Sequence, residues 1–76
     1  MLTAGQVLNN YFLETRCMLL ELAATLDRYD RATQRDPAGT PANDPRLERI
    51  YHSLALLADT RTTPDRCERL LNLFSD

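Results

Sequence analysis

Glu48 and His52 stand four residues apart, a spacing that puts a carboxylate and an imidazole on one face of a helix. Both are ligands that a divalent ion takes from a helical bundle, and Glu14 and Glu21, two turns apart, could supply the facing carboxylates. Bundles that hold metal in this way use a Glu-x-x-His step, whereas here the step is Glu-x-x-x-His and occurs once. A helix-surface pair at i and i+4 beside two solvated acids accounts for these residues more simply. No metal or other cofactor is therefore expected, and Glu48 and His52 are the weak candidates.

Cys17 and Cys67 have neither CxxC spacing nor a companion set of ligands, which argues against zinc and against a disulfide. Both fall on apolar helix faces, so the sequence predicts that they are buried as small hydrophobes. The single His has no nucleophile placed beside it in sequence, and Gly5 and Gly39 stand too far apart to form a phosphate loop. No catalytic residue emerges, and the chain reads as something other than an enzyme.

The remaining chemistry is cationic. All nine basic residues are Arg, and Arg28, Arg31 and Arg35 gather near the end of the first predicted helix, with Arg46 and Arg49 following across a linker. Such a cluster could meet nucleic-acid phosphates, and two short helices joined by a turn over Asp59 to Thr63 could mimic a helix-turn-helix with Arg66 and Arg69 on its reading helix. Asp65 and Glu68 alternate with those arginines, however, and the formal charge of -2 supplies no broad positive field. Arginine near a helix C-terminus also complements the backbone dipole, and Asp27 with Arg31 makes a paired face. A DNA-binding regulator using Arg28, Arg31, Arg35, Arg46 and Arg49 is thus the alternative reading, a metal-binding bundle the third, and nucleic acid is disfavoured as a partner.

Those residues must be positioned by helices. Fourteen Leu stand against one Val and one Ile, so the β-branched residues that suit pleated sheet are nearly absent. Thr3 followed by Gln6 reads as a capping box, with Leu2 and Val7 as its hydrophobic staple, and no Pro or Gly intervenes until Pro37. This predicts a helix over about residues 4–33, roughly 45 Å long at 1.5 Å per residue. Leu8, Phe12, Thr15, Leu19, Leu22, Leu26 and Tyr29 recur along it in alternating steps of four and three, widened by Tyr11, Met18 and Ala23. A second line, Leu13, Cys17, Leu20 and Ala24, repeats the same rhythm well around the cylinder.

Residues 34–43, QRDPAGTPAN, are turn formers without apolar period and read as a linker. Asp44 with Pro45 starts a helix over about 45–59, with Leu47, Ile50, Tyr51, Leu54, Leu57 and Ala58 on its buried line. Thr63 with Pro64 repeats that signal for a helix over about 64–75, whose face is Cys67, Leu70, Leu71 and Phe74. With 76 residues, the chain is read as one helical domain over 1–76, an all-α three-helix bundle of one long N-terminal helix and two short ones.

Two short helices would leave part of the two-seamed rod bare, and each large apolar side chain left in water forgoes about 1.5–3 kcal/mol. A homodimer follows, with the first helix crossing its symmetry mate. The expected role is a small interaction or scaffold module that binds itself and another protein, with Tyr11, Leu13, Cys17, Leu20 and Ala24 as the interface residues. Met1 to Leu13 carries no Lys or Arg, and no uncharged run approaches the ~20 residues of a membrane helix, so the expected location is cytoplasmic and no membrane is expected as a partner.

Overall fold

Helix-start signals written into the sequence account for two of the three α-helices seen in the computed structural model, which describes residues 1–61 and 63–75. Regular structure among the described residues is all helical: α1 at Ala4–Arg35, a single 3₁₀ turn at Pro37–Gly39, α2 at Pro45–Ala58 and α3 at Arg66–Phe74. The chain divides into two compact units, Met1–Thr40 and Pro41–Asp76.

In the first unit Thr3 is extended, and its Oγ1 accepts from the Gln6 amide at 3.2 Å while Gln6 Oε1 accepts from the Thr3 amide at 2.9 Å. Two of the amide donors that a helix start leaves over are thereby satisfied. Removing both side chains, with Thr3→Ala and Gln6→Ala, should weaken the first turn by about 1 kcal/mol. Hydrogen exchange at the Gln6 and Val7 amides would report it as faster exchange; unchanged protection would mean the box contributes nothing.

α1 runs two residues past the expected end at Thr33. Pro37 bars only the residue before it from helical backbone, so Gln34 and Arg35 stay in the helix and Asp36 leaves it at φ -140°, ψ 79°. The linker is also more structured than expected. The Asp36 carboxylate accepts from the Gly39 amide at 3.2 Å, Pro37 opens the 3₁₀ turn, and Thr40 donates its amide to the Pro37 carbonyl at 3.2 Å. A Cβ on Gly39 would lie 2.6 Å from Asp36 Oδ2, so this cap requires glycine for closeness of approach.

No residue of α1 is buried. Leu22, Leu26, Tyr29, Ala32 and Thr33 are half-buried, whereas Leu8, Phe12 and Leu19 of the same line are exposed, as are Leu13 and Leu20 of the second. The expectation of buried thiols is overturned as well, since Cys17 and Cys67 are both exposed. The reason is one of scale: units of this size have too few elements to enclose a side chain on every side.

In the second unit α2 opens as expected, with Asp44 as cap and Pro45 at the first helical position, and it closes at Ala58. The start predicted for the third helix is wrong. α3 begins at Arg66 after Asp65, which makes no side-chain cap bond, and not at Pro64 after Thr63. The Asp65 amide turns back onto the Thr63 carbonyl at 2.7 Å, a bond across two residues that a helix does not make, and the first helical bond runs from the Arg69 amide to the Asp65 carbonyl at 3.0 Å. The expected turn over Asp59 to Thr63 includes Thr62, which lies outside the described residues.

Arg66 donates from its guanidinium to the Asp59 carbonyl at 2.5 Å, tying the start of α3 to the end of α2. With that tie, the covered side of α3 carries Arg66, Arg69, Leu70 and Leu73, about a quarter-turn from the line expected at 100° per residue. Cys67, Leu71 and Phe74 are left exposed. On α2, Leu47, Ile50 and Leu54 of the line expected to be buried are half-buried, Leu56 and Ser53 join them, and Tyr51, Leu57 and Ala58 are exposed.

Candidate interaction surface

The five residues proposed from sequence as an interface all lie on α1 within the first unit, and all are exposed. Leu13, Cys17, Leu20 and Ala24 follow one another at helical spacing, and Tyr11 flanks the other seam. Leu13 is 68% and Leu20 54% exposed; on the first seam Leu8 is 65%, Phe12 64% and Leu19 60% exposed. α1 thus presents large exposed apolar residues on two sides over its N-terminal half.

The first seam carries a recess toward each end. One, of about 140 Å³ and almost wholly apolar, is lined by Val7, Leu8, Tyr11, Phe12 and Thr15. The other, of about 280 Å³, lies where the 3₁₀ turn folds back beside the helix and is lined by Tyr29, Ala32, Thr33, Arg35, Asp36, Gly39 and Thr40. Sequence reasoning passed over this second recess by treating residues 34–43 as bare linker. The signal was available: Asp36, Pro37 and Gly39 are the residue types of a capped turn in their proper order.

The threonine hydroxyls of α1 are satisfied by the helix itself. The hydroxyls of Thr15 and Thr25 donate to the carbonyls of Tyr11 and Glu21, at 2.8 and 2.9 Å, and that of Thr33 donates to Asp30 at 2.7 Å. A threonine bonded in this way shows a neighbour its methyl group and needs no outside acceptor.

The arginines proposed for nucleic acid divide between the units, Arg28, Arg31 and Arg35 in the first and Arg46 and Arg49 in the second. Arg46 is engaged locally: its Nε lies 2.9 and 3.0 Å from the two Asp44 carboxylate oxygens, and a terminal nitrogen also meets Oδ2. The segment between α2 and α3, residues 59–65, is longer than the three or four residues of a helix-turn-helix turn. Glu48 and His52 are exposed on α2, and among the described residues no three of His, Cys, Asp and Glu gather where they could share a metal ion.

The Asp44 carboxyl is clearly displaced. Hydrogen bonds from the Arg46 side chain, and then from the Arg46 amide, hold its pKa down at about 2 from the ordinary 3.8, and Arg46 is correspondingly raised. Because the folded-state pKa is the lower one, this cap stabilises α2 above about pH 4 and is lost as the pH falls through about 2. Arg46→Gln should return the Asp44 titration, followed by carboxyl carbon NMR, toward 3.8; an unmoved midpoint would refute the assignment.

Among the described residues no helix is long and apolar enough to cross a membrane. No protein-family model matches the chain, and neither a curated protein nor a solved structure matches it.

Proposed function

We propose that this protein is a small cytoplasmic interaction module without catalytic chemistry, acting as a homodimer that assembles through α1 into a helical bundle and offers its remaining apolar line to another protein. One observation carries the reading: α1 has no buried residue while Leu8, Phe12, Leu13, Leu19 and Leu20 are each more than half exposed. Each such side chain gains about 1.5–3 kcal/mol on leaving water, so a second helix is the natural cover. Charge supports a protein partner over nucleic acid, since the net formal charge is -2.

Light scattering on a sizing column should give a mass near twice 8.7 kDa, and a monomer at micromolar concentration would overturn the homodimer. With one seam taken up by self-association, the Leu13 line with Cys17, Leu20 and Ala24 remains for the second protein. A dye that brightens on apolar surface should therefore bind the dimer, and Leu13→Ala with Leu20→Ala should remove most of that signal without changing the mass. Undiminished dye binding would overturn the assignment of this line.

A further inference from the structure

Resting on that dimeric reading, we propose that the second copy lies antiparallel on the Leu8 to Tyr29 face of α1, with Phe12 of each copy seated in the Tyr29–Ala32–Thr33 recess of the other. The alternating steps of four and three along this face admit a self-complementary antiparallel register. It sets Leu8 opposite Thr33, Phe12 opposite Tyr29, Thr15 opposite Leu26 and Leu19 opposite Leu22, each layer occurring twice about the twofold axis.

Four features favour this arrangement. On one flank it brings large residues against small ones, Tyr11 against Ala32 and Met18 against Thr25, which is how facing side chains interdigitate. On the other flank it places Arg16 near Asp30 of the second copy, at both ends of the dimer. A parallel, in-register copy would instead stack Phe12 on Phe12 and Thr15 on Thr15, and would pair no opposite charges beside this seam.

Polar satisfaction is the third feature. Thr15, Thr25 and Thr33 are the hydroxyl-bearing threonines that the register covers, and all three already donate to carbonyls of their own helix. Covering them orphans no donor. The fourth is shape: one recess is lined by Val7, Leu8, Tyr11, Phe12 and Thr15, and the other includes Tyr29, Ala32 and Thr33, the residues this register sets opposite them. Asp36, Gly39 and Thr40 form the far wall of the second recess, which gives the Asp36 to Gly39 cap a role in receiving the second copy.

The test is disulfide trapping in full-length chains carrying Cys17→Ser and Cys67→Ser. Leu8→Cys and Thr33→Cys variants, each a mild change at an accessible or half-buried position, are oxidised separately and as a mixture. A bond forms only where Cα atoms come within about 7 Å. The expected result is a covalent dimer in the mixture and none in either variant alone. Cross-linking of Leu8→Cys to itself would overturn the orientation while leaving the homodimer standing, and a dimeric mass with no cross-link in any sample would overturn the choice of face and register. A mass near 8.7 kDa before oxidation would overturn both this proposal and the dimeric reading beneath it. A charge arm checks the flank: Arg16→Asp and Asp30→Arg should each lower self-association, by up to roughly tenfold, and the mixed chains should recover it. No recovery would overturn the register.

Discussion

Truncating Phe12 and Leu19 together to Ala is expected to bring the protein to a mass near 8.7 kDa at concentrations where the unaltered chain is dimeric. The effect is large because a twofold interface uses every residue twice, so two substitutions remove four apolar side chains from the contact. At about 1.5–3 kcal/mol each, the loss is on the order of 6 kcal/mol or more, which weakens dissociation constants by roughly four powers of ten. The single chain should tolerate the change. Both residues are exposed there, so no cavity opens, and Ala is the best helix former. Light scattering over a dilution series, with circular dichroism beside it, would show lost association at retained helicity. A double variant still dimeric at tens of micromolar would remove this face from consideration.

Ala23→Pro should be the most damaging single change to the fold. A proline there deletes the hydrogen bond from residue 23 to the carbonyl of Leu19 and clashes with that turn, at a cost of about 3 kcal/mol or more. In many proteins packed neighbours hold the halves of a kinked helix in place; α1 spans 32 residues with none of them buried, so little opposes its division. The pieces would approach the ~12–15 residues below which an isolated helix is marginal in water. The expected result is loss of roughly a third of the helical signal at 222 nm, together with loss of the dimeric mass, because a broken rod no longer carries one continuous seam. Retained helicity and mass would show that α1 is held by contacts stronger than its exposure implies.

The two outcomes differ in kind. The Phe12 and Leu19 change acts on association and leaves the helix, whereas Ala23→Pro acts on the helix and loses association as a consequence. A protein whose α1 stands independently of a second copy would respond only to the second change.

Local signals were legible where a residue type at a fixed spacing sets the element. The Thr3 and Gln6 box, the Asp44 cap with Pro45, and the break imposed by Pro37 all act within four residues, and all were readable from residue type and spacing. So was the all-helical class, since one Val and one Ile leave a sheet without material. The start of α3 was not. Thr63 and Pro64 carry the same local signal as Asp44 and Pro45, but the Asp65 amide bonds back to Thr63, and Arg66 reaches seven residues along the chain to the Asp59 carbonyl.

Residue pattern thus determined which segments are helices and which of their positions are apolar, because hydrophobic period and capping are properties of neighbours in sequence. Which apolar positions are covered was decided in three dimensions. Leu70 and Leu73 are half-buried beside Arg66 and Arg69 while Leu71 and Phe74 stay exposed, because the contact of α3 with α2 turns the helix about its axis by an amount no periodicity encodes. On α1 the same distinction separates two equivalent-looking seams. Both repeat at four and three, but the chain beyond Asp36 folds back beside the first, where Asp36, Gly39 and Thr40 build a recess with Tyr29, Ala32 and Thr33.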